Sequence, residues 1–241
     1  MSDRRVAVVT GANKGIGLEI ARQLGKQGIR VYIGARDEVR GREAAEKLRA
    51  EGLDAQPLRL DVTDAGSVTA AAATLERDAG RLDILVNNAG IAIDDGRPSR
   101  VSEDALRRTY ETNVFGVVRT TQAFLPLLRR SDAGRIVNLS SGLGSLTQNS
   151  DPKWEFASVK FLAYNSSKSA VNMITIQFAW ELRDTKIKVN AADPGYVATD
   201  MNQNQGIRSA LQGAATPVRL ATLPADGPTG GYFNDEGPIP W

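Results

Sequence analysis

Val6-Ala7-Val8-Val9-Thr10-Gly11-Ala12-Asn13-Lys14-Gly15-Ile16-Gly17 is the stretch on which the fold turns. Its first five residues are apolar or β-branched and predict a buried strand. A helix is expected from about Gly15 to Gly28. The three glycines between them let the chain turn tightly and bring its backbone close to a pyrophosphate. The helix behind offers unpaired N–H groups and a positive dipole end to that anion. The spacing is G-x-x-x-G-x-G rather than the common G-x-G-x-x-G. An ordinary strand-to-helix turn often carries one glycine, and three at this place are more specific.

Outward from this loop, short β-branched runs alternate with amphipathic ones. Arg30–Ala35, Gln56–Leu60, Leu82–Val86, Gly134–Ser140, Lys186–Ala191 and Gly230–Phe233 predict further strands. Helices are expected before about Glu51 and over Ala65–Ala79, Asn113–Arg130 and Ala157–Asp184. Such alternation, with strands apolar on both faces, predicts an α/β fold. It is a doubly wound parallel sheet of about seven strands with helices on both faces. No linker, repeat or low-complexity segment divides residues 1–241, so one domain is expected. The Gly/Pro-rich stretch Gly227–Pro240 reads as an ordered or fraying tail.

Composition removes several chemistries. The chain of 241 residues has no Cys, which excludes disulfides, thiolate zinc sites and thiol catalysis. It has no His, which excludes Ser-His-Asp hydrolysis and histidine metal sites, so no metal is expected. The 30 basic and 28 acidic residues give a net charge of +2, too balanced to argue for nucleic acid or an anionic membrane. No run of 18 apolar residues occurs, so a soluble, cytoplasmic protein is expected.

Two pairs of residues carry the chemistry. Tyr164 and Lys168 lie four apart in a helical stretch, one turn apart on one face. A nearby ammonium favours phenolate, so Lys168 is expected to pull the Tyr164 pKa down from about 10. That gives a proton donor and acceptor needing neither imidazole nor metal. At the end of the second strand, Ala35 stands where an acid would hold a ribose 2′-hydroxyl, and Arg36 follows. Arg36 and Lys14 suit a 2′-phosphate, so NADP(H) is expected rather than NAD. Asp37 is the feature that argues the other way.

With these pieces assembled, the chain resembles the short-chain dehydrogenase/reductase family over almost its whole length. The glycine loop resembles that family's TGxxxGxG, and Asn87-Asn88-Ala89-Gly90 its NNAG segment. Asn113 resembles the active-site asparagine, and Ser140-Ser141 the serine strand end. Tyr164 to Lys168 resembles YxxxK, and Pro194-Gly195 the PG turn before the nicotinamide. Gly11 to Leu18 is similar to the carbonyl reductases that use NADPH. The resemblance implies a Rossmann-type fold and reduction of ketones or aldehydes by hydride transfer. Net alcohol oxidation, enone reduction and a non-catalytic NADP-binding module are the alternatives.

The resemblance also implies roles. Tyr164 would donate the proton, and Lys168 would hold the nicotinamide ribose. Ser141 would bind the carbonyl oxygen, with Ser140 the runner-up. Asn113 would kink its helix and hold a water next to Lys168; on its own it would be read as a helix cap. Cofactor contacts are implied for Gly11, Asn13, Lys14, Gly15, Ile16, Gly17, Arg36, Asp61, Val62, Asn87, Ala89, Gly90, Tyr164, Lys168, Pro194, Gly195, Val197 and Thr199. Asp61 alone would be read as a cap for the helix after Asp64.

Tyr164 lies 23 residues beyond Ser141, farther than in tetrameric members of the family. The segment 144–160, with Trp154 and Phe156, is either a plain surface loop or a wall over the substrate. Its length favours a monomer or homodimer over a tetramer. Met201 adds to an apolar pocket, so the expected partner is a hydrophobic small-molecule carbonyl, aryl or cyclic. Lys153, Lys160 and Arg208 are the nearby charges.

Overall fold

A computed structural model describes residues 4–94 and 96–241. The chain runs β1 (Val6–Thr10), α1 (Gly15–Lys26), β2 (Arg30–Ala35), α2 (Glu38–Ala50), β3 (Ala55–Arg59), α3 (Ala65–Ala79) and β4 (Ile84–Asn87). It continues through α4 (Glu103–Tyr110), α5 (Gly116–Leu128), β5 (Arg135–Leu139), α6 (Leu146–Ser150), α7 (Leu162–Glu181) and β6 (Lys188–Ala192). The short α8 (Ala210–Gly213) and α9 (Ala215–Ala221) precede β7 (Tyr232–Asn234) and β8 (Gly237–Pro238).

The strands form one sheet in the order β3-β2-β1-β4-β5-β6-β7-β8. All neighbours are parallel except β7 and β8, which are antiparallel. The eighth strand belongs to the stretch that could have frayed; pairing with β7 orders it instead. Pro57 lies in β3, where a missing N–H is tolerated because β3 is an edge strand. Side-chain alternation splits the core in two. Ala7 and Val9 of β1 face a cluster with α1, α2 and α9, whereas Val6 and Val8 face α3, α5 and α7. That double burial explains why every residue of β1 is apolar or buried.

The winding reverses between β1 and β4, their neighbours in the sheet being β2 on one side and β5 on the other. A crevice opens outside the strand ends at this reversal, where open α/β sheets bind ligands. The glycine loop after β1 and the Asn87–Gly90 segment after β4 form its floor. The expected helix beginning at Asn113 begins earlier. α4 passes through one π-helical turn, Glu111–Phe115, into α5. Asn113 is therefore no helix cap: it sits mid-helix, with its side chain turned inward and buried.

Candidate active site

The glycine loop is built by contacts that only glycine allows. Gly11 and Gly15 have φ of +63° and +57°, a region that L side chains rarely enter. A Cβ on Gly17 would lie 2.4 Å from Asn88 Nδ2 and 2.6 Å from the Gly11 oxygen. Asn88 ties the two halves of the crevice: its amide donates to the carbonyls of Thr10 at 2.8 Å and Gly11 at 3.1 Å. Thr10 Oγ1 returns the bond, accepting from the N–H groups of Asn88 and Ala89, each at 2.9 Å. No side chain caps α1, so its first N–H groups stay available to an anion. These features fit a dinucleotide pyrophosphate.

At the adenosine end the cations behave differently. Arg36 is exposed and has no ion-pair partner among the described residues. Lys14 instead pairs with Asp200 at 2.5 Å, linking the glycine loop to the segment after the PG turn. Thr199, next to Asp200, also approaches: its methyl is 3.8 Å from where a Cβ on Gly15 would be. Asp37 is spent as the N-cap of α2, accepting from Arg40 N–H at 3.1 Å. That cap occupies one of its carboxylate oxygens, Oδ1. Asp61 does not cap α3; its carboxylate accepts from Thr63 N–H at 3.0 Å and the Thr63 hydroxyl at 2.7 Å. Asp64 is the cap, accepting from Gly66 N–H at 2.8 Å. Val62 is buried against Gly116.

Asn87 is placed unlike a ligand side chain. It is buried, donating to Thr121 Oγ1 at 3.1 Å and Asn138 Oδ1 at 2.8 Å. A Cβ on Gly90 would fall 3.4 Å from Asn113 Oδ1 and 3.7 Å from Lys168 Nζ, so a bare backbone separates those two groups. Gly195 has φ +75°, and a Cβ there would strike Arg208 Cδ at 2.8 Å. Val197 is buried, and its neighbour Ala198 N–H donates to the Arg208 carbonyl at 2.8 Å. This pairing closes the segment 197–208 back on itself.

Tyr164, Lys168 and Ser141 converge where β5 ends. Lys168, 5% exposed, donates to the Leu139 carbonyl at 2.7 Å. Its Nζ lies 5.6 Å from the centroid of the Tyr164 ring. Ser141 caps the short turn Gly142–Gly144, accepting from Leu143 N–H at 3.3 Å. That turn packs tightly on α7, because a Cβ on Gly144 would be 2.7 Å from Lys168 Cβ. Ser140 points the other way. It is buried and donates to Asn172 Oδ1 at 2.6 Å, so it is occupied inside the fold. Adjacent residues of an extended chain face opposite sides, which separates the two serines.

The electrostatics correct one sequence expectation. Burial pushes Tyr164 up to about 12, although the Ser141 hydroxyl offsets part of the rise. Burial lowers Lys168 to about 8. Desolvation of the charged form is the largest cause of both shifts, and the ammonium is turned toward Leu139 rather than the phenol. Asp193, which sequence reasoning passed over, is the third ionisable group here. Its carboxyl accepts from Gly195 N–H at 2.9 Å, and burial raises its pKa. Its position directly before Pro194-Gly195 was the available signal.

Trp154 packs beside the turn that follows Ser141. Its ring lies 3.2 Å from the point where a Cβ on Gly142 would stand, beside Ser141. Trp154 meets Phe156 edge-on with centroids 5.5 Å apart, and Phe156 meets Tyr196 at 6.1 Å. The segment carrying Trp154 thus reaches the segment after the PG turn through three rings. Met201 is exposed on that same segment.

Residues 5–209 match the model of the short chain dehydrogenase family. The chain belongs to that family of oxidoreductases. It is 38% identical to a (+)-neomenthol dehydrogenase of Arabidopsis thaliana, over 95% of this chain and 96% of that one. It is 35% identical to carbonyl reductase [NADPH] 1 of Rattus norvegicus, over 100% and 99%. The structure of an NADPH-bound carbonyl reductase from chicken fatty liver superposes with a TM-score of 0.86 at 28% identity, covering 99% of each chain.

Proposed function

We propose that this protein is an NADPH-dependent reductase of hydrophobic ketones or aldehydes. One observation carries the reading: a phenol held protonated, a hydroxyl and an ammonium meet at one strand end, under an aromatic wall. NADPH, when bound, supplies the hydride. Gly11, Asn13, Gly15, Ile16 and Gly17 hold its pyrophosphate, Arg36 and Lys14 its 2′-phosphate, and Lys168 its nicotinamide ribose. Main-chain groups of Asn87, Ala89 and Gly90 would help to hold the cofactor. Pro194, Gly195, Val197 and Thr199 fix the nicotinamide end.

The Ser141 hydroxyl donates to the substrate carbonyl oxygen. As negative charge grows on that oxygen, Ser141 and Tyr164 stabilise it, and the Tyr164 phenol gives up its proton to form the alcohol. A pKa near 12 keeps the phenol loaded at neutral pH. An alkoxide is more basic than a phenolate, so the transfer runs downhill. The carboxylate of Asp193 nearby disfavours phenolate further.

The substrate class follows from the wall. Trp154, Phe156, Tyr196 and Met201 offer apolar surface, while two of the three nearby cations are engaged and Lys153 is exposed. Lys160 donates to the Asn149 carbonyl at 2.9 Å, and Arg208 pairs with Asp235. A phosphorylated or carrier-bound substrate finds few free anchors, and an aryl or cyclic carbonyl suits the rings. The test is purified protein with NADPH and a panel of ketones, aldehydes, quinones and enones, read by nicotinamide absorbance. Turnover confined to enones would overturn the reading.

A further inference from the structure

Tyr164 sits in the first turn of α7, where a helix is weakest. The N–H groups of a first turn have no intrahelical partner, and such turns fray. Here the first turn carries no acidic residue, and Phe161 at the N-cap offers no side-chain bond. A phenol in that turn would move with the fraying backbone.

Relief comes from far away in the sequence. The Asp94 carboxylate, on the loop after β4, accepts from Ala163 N–H at 2.7 Å and from the N–H of Tyr164 itself at 2.9 Å. The other side of the same residue is also held. Ser167 Oγ donates to the Tyr164 carbonyl at 2.7 Å and accepts from Asn113 Nδ2 at 3.0 Å. Asn113 in turn grips Ile91 twice, accepting from its N–H at 2.8 Å and donating to its carbonyl at 2.9 Å. Ile91 and Asp94 lie three residues apart on one loop, so the bonds close into a circuit through Tyr164.

We propose that Asp94 is a positioning residue for Tyr164: its carboxylate clamps the tyrosine main chain to the loop that Asn113 anchors. The proposal rests on the reductase reading. The carboxylate sits at the positive end of the helix dipole, where its charge is favoured. Rigidity is what the clamp supplies, because misplacing a reacting group by about 1 Å costs on the order of 100-fold in rate.

The experiment replaces Asp94 by Ala and by Asn in the full chain. Asp94→Ala should lower kcat by roughly 10- to 100-fold and leave the KM for NADPH unchanged. Asp94→Asn keeps one of the two acceptor oxygens and should recover part of the loss. Asp64→Ala, which removes the comparable cap of α3, should cost stability and spare kcat. Hydrogen exchange, followed without substrate, should show faster exchange of the 162–167 amides in Asp94→Ala. Unchanged exchange there, or a kcat equal to that of the unmodified protein, overturns the clamp. Should the unmodified protein reduce no carbonyl at all, the reductase reading falls, while the exchange result still decides whether Asp94 holds the turn.

Discussion

Arg36→Ala is the perturbation that separates the two cofactors. Arg36 is exposed and unpaired among the described residues, so its removal should leave folding almost unchanged. What it removes is a charge-assisted bond to the 2′-phosphate, worth about 1.5–3 kcal/mol. At 1.36 kcal/mol per tenfold, the Kd for NADPH should rise about 10- to 100-fold. NADH, lacking that phosphate, should bind as before. Lys14 should contribute less, because binding must first break its pair with Asp200. The same pair predicts that Asp200→Asn tightens NADPH and not NADH, since it frees Lys14 and removes a competing anion. Quenching of intrinsic tryptophan fluorescence, titrated with each cofactor at fixed ionic strength, gives all six affinities of the three proteins. An Arg36→Ala protein weakened equally toward NADPH and NADH would refute the reasoning, because Arg36 would then read a group the two cofactors share.

Three further outcomes follow from the site. Tyr164→Phe should lower turnover about 10²–10⁴-fold while NADPH still binds, since no His or Cys can replace the acid. Its pH signature has a definite sign. The folded Tyr164 keeps its proton to about 12, above the usual value of 10, so its contribution to stability is present below pH 10 and lost between 10 and 12. Alkaline unfolding of Tyr164→Phe should therefore be less steep in that window, and identical curves would remove the burial argument. The adjacent serines should part company. Ser141→Ala should lose roughly 10²–10³ in kcat with only the small stability loss of its cap on the Gly142–Gly144 turn. Ser140→Ala should keep kcat and lose about 1–3 kcal/mol of stability by orphaning Asn172 Oδ1. Trp154→Ala should change the kcat/KM ratio of bulky to small ketones by roughly 1–3 kcal/mol, and a constant ratio would detach this ring from the substrate.

Much of the fold was legible because its signals are local. The glycine loop, the apolar strands and the order of motifs are properties of short windows, and each lands within a few residues of its expected place. Strand ends moved by one or two residues, where fraying and pairing compete. The start of α7 moved from Ala157 to Leu162 because its cap, Asp94, is supplied by a loop distant in sequence. β8 escaped notice because two residues carry no period; it exists only as a partner to β7.

The sequence by itself determined which groups the protein has for its chemistry: a phenol, an ammonium, hydroxyls and a glycine cradle, with no thiol or imidazole. Spacing alone set Tyr164 and Lys168 on one helix face. Tertiary structure decided what those groups experience. It bonded Ser140 to Asn172 inside the fold and left Ser141 on the opposite side, and it turned Asn113 inward through a π-helical turn. It paired Lys14 with Asp200 across the crevice and left Arg36 free. It also raised the Tyr164 pKa where the sequence argued for a fall. The reason is that spacing reports which charges lie near, whereas burial and hydrogen-bond partners come from segments far apart in the chain. At this site desolvation is the largest cause of both shifts.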